Sequence, residues 1–116
     1  MARNMASRIS GYPTRTTNKN ARSYVQNKAP FQGSNVFGEF MNDMYTVYSY
    51  GYHSPLFIYD KQHNQWLEND DSYSRTSARH KSQLRPTPNT IKCTTEQMQA
   101  VIRAGSITGI IQDPEV

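Results

Sequence analysis

The chain has 116 residues, enough for one domain, and only 35% of them are apolar, so its core is small and leans on eight Tyr, four Phe and one Trp. Cys93 is the single cysteine, which excludes an internal disulfide and a multi-cysteine zinc site. No apolar run approaches the roughly 20 residues that a membrane-spanning helix needs, and the net charge of +4 raises the question of an anionic partner.

That charge is unevenly placed. Residues 1–30 hold Arg3, Arg8, Arg15, Lys19, Arg22 and Lys28 with no acid, while residues 31–116 hold seven basic against nine acidic residues. The first stretch lacks apolar periodicity and is rich in Asn, Ser, Thr and Arg. It reads as an extended basic arm, disordered in isolation, with Tyr12, Tyr24 and Val25 as anchor points. It has no apolar signal-peptide core, and Pro13 argues against a transit peptide, so a soluble cytoplasmic protein is expected. Arg15, Lys19 and Arg22 are its candidate nucleic-acid contacts, against the plainer reading of a solubilising leader.

A single small domain is expected over residues 31–116. Gly33-Ser34-Asn35 is a turn signal, and Val36, Phe37 and Phe40 suggest a short strand. Met44 to Tyr50 alternates aromatic and β-branched residues, a break follows at Gly51 to Ser54, and Pro55 to Tyr59 resumes the run. This predicts a β-hairpin, with the proline tolerated at the first position of its strand. Trp66-Leu67 begins a third strand, which the polar "ENDD" ends.

A helix is predicted from Ser74 to about Leu84, capped by Ser72 or Ser74 and stopped by Pro86 and Pro88. A second runs from Thr94 or Thr95 to Ala104, with Thr94 and Gln97 as a capping box, Met98, Val101 and Ile102 as the buried stripe, and Gly105 at its end. "SITGIIQDPEV" offers a short final strand. The expected fold is α+β: a three- or four-stranded antiparallel β-meander packed by two helices on one face, behind a basic, extended N-terminal arm.

The segment "YSRTSARHKSQ", with the hairpin and the Trp before it, resembles a known pattern. Tyr73, Ser74, Thr76, Ser77, His80, Ser82 and Gln83, preceded by Tyr48, Ser49, Tyr50, Gly51, Pro55 and Trp66, are similar to a signature in small proteins of unknown function encoded by tailed bacteriophages, prophages and plasmids. The likeness covers roughly residues 36–104. It implies a mobile-element source and action in the host-cell cytoplasm, and it brings no chemistry.

On a helical wheel of about 100° per residue, Arg75, Arg79, Lys81 and Arg85 form a cationic arc. Thr76, Ser77, His80 and Leu84 fall on the other side. His80 is expected to face the sheet with a ring nitrogen bonded to a hydroxyl or a carbonyl, and Thr76 and Ser77 to complete a buried polar network. The cationic arc suits phosphate contact, and exposed hairpin tyrosines suit stacking on unpaired bases. Its plainer reading is a solvated face neutralised by Glu68, Asp70 and Asp71.

No phosphate loop, nucleophile elbow or CxxC occurs, and His53 and His63 lack metal-ligand spacing. No cofactor, metal or catalytic residue is therefore assigned, although a ribonuclease using His80 stays open. The expectation is a non-enzymatic accessory protein that contacts nucleic acid. The alternative is a protein-directed inhibitor of a host factor such as a defence nuclease, binding through Tyr48, Tyr50, Tyr52 and His53. Oligomeric state is not legible.

Overall fold

The computed structural model describes residues 14–41, 43–71, 75–105 and 107, with side chains left undescribed at 75–77. Among them, seven strands form one mixed sheet in chain order: β1 (Thr14–Arg15), β2 (Phe31–Gln32), β3 (Val36–Met41), β4 (Met44–Ser49), β5 (Pro55–Asp60), β6 (Gln65–Asn69) and β7 (Ile91–Cys93). Strands β2 to β6 make an antiparallel meander. The two edge pairings, β1 with β2 and β6 with β7, are parallel. A parallel neighbour needs a crossover. A 3-10 turn (Asn18–Asn20) and helix α1 (Ala21–Gln26) supply the first, and α2 (Arg75–Leu84) supplies the second.

The protein is thus α+β, with a larger sheet than the expected meander. Its helices also lie differently from the expected arrangement, in which two helices share one face. Ala21 and Val25 of α1 and Leu84 of α2 pack with Phe31, Val36, Tyr45, Val47, Leu56, Phe57 and Trp66 on one side. On the other side, Met98 and Val101 of α3 (Thr95–Ala104) pack with Met44, Ile58, Leu67, Cys93 and Ile107. The cause is in β4. All six of its residues are buried, so both faces of the sheet require a cover.

A register shift between Val47 and Tyr48 leaves Leu56 unpaired, since Val47 pairs with Phe57 and Tyr48 with Pro55. The bulge turns Leu56 and Phe57 into the same cluster. Gly38 is required by close approach: a Cβ there would lie 2.5 Å from the Tyr45 hydroxyl and 2.6 Å from the Phe31 ring.

Residues 14–30, expected as an extended arm, are folded. Val25 is fully buried and Tyr24 packs against the same core, so both serve as the anchors foreseen, while Tyr12 lies outside the described residues. The α3 expectations hold closely: Thr94 accepts from the Gln97 N–H at 3.0 Å, the Gln97 side chain accepts from the Thr94 N–H at 2.8 Å, and Gly105 ends the helix at φ 75°. Met98 and Val101 are buried, and Ile102 is partly so. The expected α2 caps, Ser72 and Ser74, and most of the proposed final strand lie outside the described residues.

Candidate functional site

Strand β6 does not stop at Leu67. It continues through Asn69, and its pairing sets Glu68 beside Phe57 on one side and Lys92 on the other. This turns Glu68 inward beneath α2, where it is 1% exposed. Arg85 grips it with both ends of its fork, Nε to Oε1 at 3.2 Å and Nη2 to Oε2 at 2.7 Å. Thr90 donates to Oε1 at 2.8 Å, and the ammonium groups of Lys81 and Lys92 each stand 3.4 Å from the carboxylate. Burial alone would raise this carboxyl, but the Arg85 bonds, Thr90 and the surrounding charges outweigh it and hold the pKa at about 2.

The expected cationic arc is therefore divided. Lys81 also donates to the Asn69 carbonyl at 2.7 Å, so both Lys81 and Arg85 serve the fold rather than look outward. Arg79 remains exposed, and Arg75 begins α2 with its side chain outside the described residues. Nearby, the Asp71 carboxylate accepts the Thr95 N–H at 2.7 Å, which draws its pKa down and fastens the loop to the start of α3.

His80 lies where the wheel predicts. It is buried against the sheet with Nδ1 2.8 Å from the Ser49 hydroxyl. Burial first, and the Arg79 charge second, push its pKa below the ordinary histidine value, so the ring is neutral near pH 7. Thr76 and Ser77 are on the same helix with undescribed side chains. His80 is too enclosed to share a reacting atom with the exposed cations.

Above His80 sits Tyr50, its ring centroid 5.6 Å from the imidazole. Tyr50 is 58% exposed and adopts φ 70°, the left-handed region that bulky residues avoid. Its N–H donates to the Asn35 carbonyl at 2.7 Å, which holds the conformation. Tyr52, 61% exposed, follows in the same loop and donates its hydroxyl to Glu39 Oε1 at 3.0 Å. Its ring packs on Phe37 and Tyr48 at 5.2 and 4.9 Å. Tyr48 is itself buried, so it supports the patch from beneath and cannot be the contact residue expected of it. His53 is exposed beside them.

Tyr50 and Tyr52 line an open groove of about 520 Å³, whose other walls include Gln32, Asn35, Phe37 and Glu39. The N-terminal segment borders it. Arg15 on β1 pairs with Gln32, and the Asn18 side chain, next in the chain to Lys19, accepts the Ser34 N–H at 3.1 Å. Arg22 on α1 donates to the Ser82 carbonyl at 2.6 Å, one turn along α2 from Arg79. Arg15, Lys19, Arg22 and Arg79 are all exposed.

No family model, curated protein or solved structure matches the chain. The groove is therefore read on its chemistry alone: two exposed aromatic faces, amide and carboxylate groups in the wall, and Arg15 on the strand paired with Gln32. Among the described residues no three His, Cys, Asp or Glu side chains gather as a metal would require, and no helix is long and apolar enough to cross a membrane. Sequence reasoning singled out Tyr50 and Tyr52 of this groove but not Gln32, Asn35 or Glu39. The signal available was Tyr50-Gly51, a bulky residue placed where the hairpin loop must reverse.

Proposed function

We propose that this protein binds single-stranded nucleic acid without catalysing a reaction on it, as an accessory protein of a phage or related mobile element. Bases stack in the Tyr50/Tyr52 groove, and Arg15, Lys19, Arg22 and Arg79 meet the phosphates. The observation that carries this reading is Tyr50. A left-handed tyrosine costs on the order of 1–3 kcal/mol, and more than half of its surface is left in solvent rather than used in the core. A strained, exposed ring in a groove, on a protein that also exposes Arg15, Lys19, Arg22 and Arg79, suits stacking with electrostatic guidance.

The test is binding of labelled single-stranded and duplex oligonucleotides by fluorescence anisotropy. Tyr50→Ala and Tyr52→Ala should each weaken single-strand binding by about 1–3 kcal/mol, the usual value of one stacked base. Duplex bound as tightly as single strand, or affinity indifferent to both substitutions, would overturn the reading.

A second reading rests on Phe40 and Met41, which are exposed on β3 beyond the end of β2. Met41, on the same face of β3 as Phe37 and Glu39, then offers with Tyr52 an apolar contact surface for a host protein such as a defence nuclease. Inhibition of that target by the chain, lost in Met41→Asp but kept in Tyr50→Ala, would favour it.

A further inference from the structure

A carboxylate is out of place in a groove that holds polyanions, since it repels every phosphate that enters. Glu39 nevertheless lines this one, on the same sheet face as Phe37, and Tyr52 holds it in position through Oε1. Among the described residues Oε2 meets no donor, and Oε1 keeps a second lone pair. The wall thus offers two acceptor positions side by side, next to an exposed aromatic face.

Of the four bases, guanine alone presents two parallel donors on its pairing edge, N1–H and N2–H. Adenine and cytosine each offer a single amino group there, and uracil one N–H flanked by carbonyl oxygens that a carboxylate repels. From this match, and resting on the nucleic-acid reading above, we infer that the groove selects an unpaired guanine, with Glu39 accepting both N1–H and N2–H while Tyr52 or Tyr50 stacks on the base. The acceptor O6 then faces the remaining wall, where the Asn35 and Gln32 amides can donate. At about 520 Å³ the groove has space for more than one base, so a neighbouring nucleotide can occupy the rest with less discrimination.

The specificity resides in one residue and is measurable apart from binding itself. The probe is a short oligouridine with a single central guanine, compared with the same oligomer carrying inosine, adenine or uracil there. Inosine keeps N1–H and lacks the N2 amino group, so it isolates one charge-assisted hydrogen bond. Guanine should be bound about tenfold more tightly than inosine, the ratio that a bond of this strength gives. Glu39→Gln should reduce that preference to near unity, while binding of the all-uridine oligomer holds or improves as a repulsive charge is lost. Tyr52→Phe, which releases Oε1 but keeps the ring, should retain most of the preference and shows whether the carboxylate itself does the selecting.

If the wild type binds all four oligomers equally and still depends on Tyr50, the guanine assignment is overturned while single-strand binding stands. No binding of any oligomer overturns both. Preferential, competitive uptake of an arginine-rich peptide would mean that the carboxylate and rings receive a cationic side chain, which also refutes the assignment.

Discussion

Replacing Glu68 with glutamine keeps the shape of the side chain and removes the charge on which Arg85, Lys81 and Lys92 converge. The carboxyl lies at about 2 in the folded protein against an ordinary value of 4.5. At about 1.4 kcal/mol per pH unit, this difference amounts to about 3 kcal/mol. The three cations are 18–48% exposed and regain water when the carboxylate is lost, so an effect of about 2 kcal/mol is expected. Because folding depresses this pKa, the contribution is fully present above about pH 4.5 and is lost as the pH falls toward 2. Urea unfolding followed through the buried Trp66 measures it. Glu68→Gln should be less stable than wild type by about 2 kcal/mol near pH 7, and the gap should close on acidification. A gap below about 0.5 kcal/mol near neutrality, the size of an ordinary surface change, or a gap that persists in acid, would refute the role assigned to the cluster.

Tyr50→Gly should relieve the left-handed strain and leave stability unchanged or raise it by about 1 kcal/mol, while single-strand binding falls; a large loss of stability would show that the ring serves the core. Gly38→Ala should lower the melting temperature, because the added methyl meets Tyr45 and Phe31 at impossible distances and overpacking costs about 1–3 kcal/mol. For His80, burial disfavours the charged form, so its contribution to stability is full above about pH 6.5 and declines below it. An NMR titration should give a His80 midpoint below 6.5, and one at or above that value would contradict its burial against Ser49. His80→Ala should cost about 1–3 kcal/mol by leaving the Ser49 hydroxyl unpaired.

The elements that could be read in advance are those whose signals are local. Thr94 and Gln97 specify the start of α3, Pro86 limits α2, and the β4–β5 hairpin follows from its β-branched and aromatic runs around Gly51. What escaped depends on partners distant in sequence. β1 and β7, of two and three residues, have no periodicity and exist through their pairing to Phe31–Gln32 and Leu67–Asn69. Helix α1 has six residues, too few for an amphipathic pattern, and is held by Val25 in the core. Glu68 was legible only as an acid near a basic helix. One further step of β6 pairing turns it inward, and with it Lys81 and Arg85 leave the outward set. His80 could be placed correctly because the wheel is local to its helix. The groove could not be foreseen, since it joins β2, β3 and the β4–β5 loop across the fold.

The central claim is that cations of the folded N-terminal segment and α2 guide a single strand into a tyrosine groove. Its most direct test is the salt dependence of single-strand affinity, with Lys19→Ala/Arg22→Ala/Arg79→Ala beside the wild type. Each phosphate contact contributes about 0.7 to the slope of log affinity against log salt for single strands. The wild type should therefore give a slope of about −2 to −3, and the triple variant a slope flatter by about 2 with its fold intact. A wild-type affinity that does not change with salt, or an identical slope in the variant, would contradict the account.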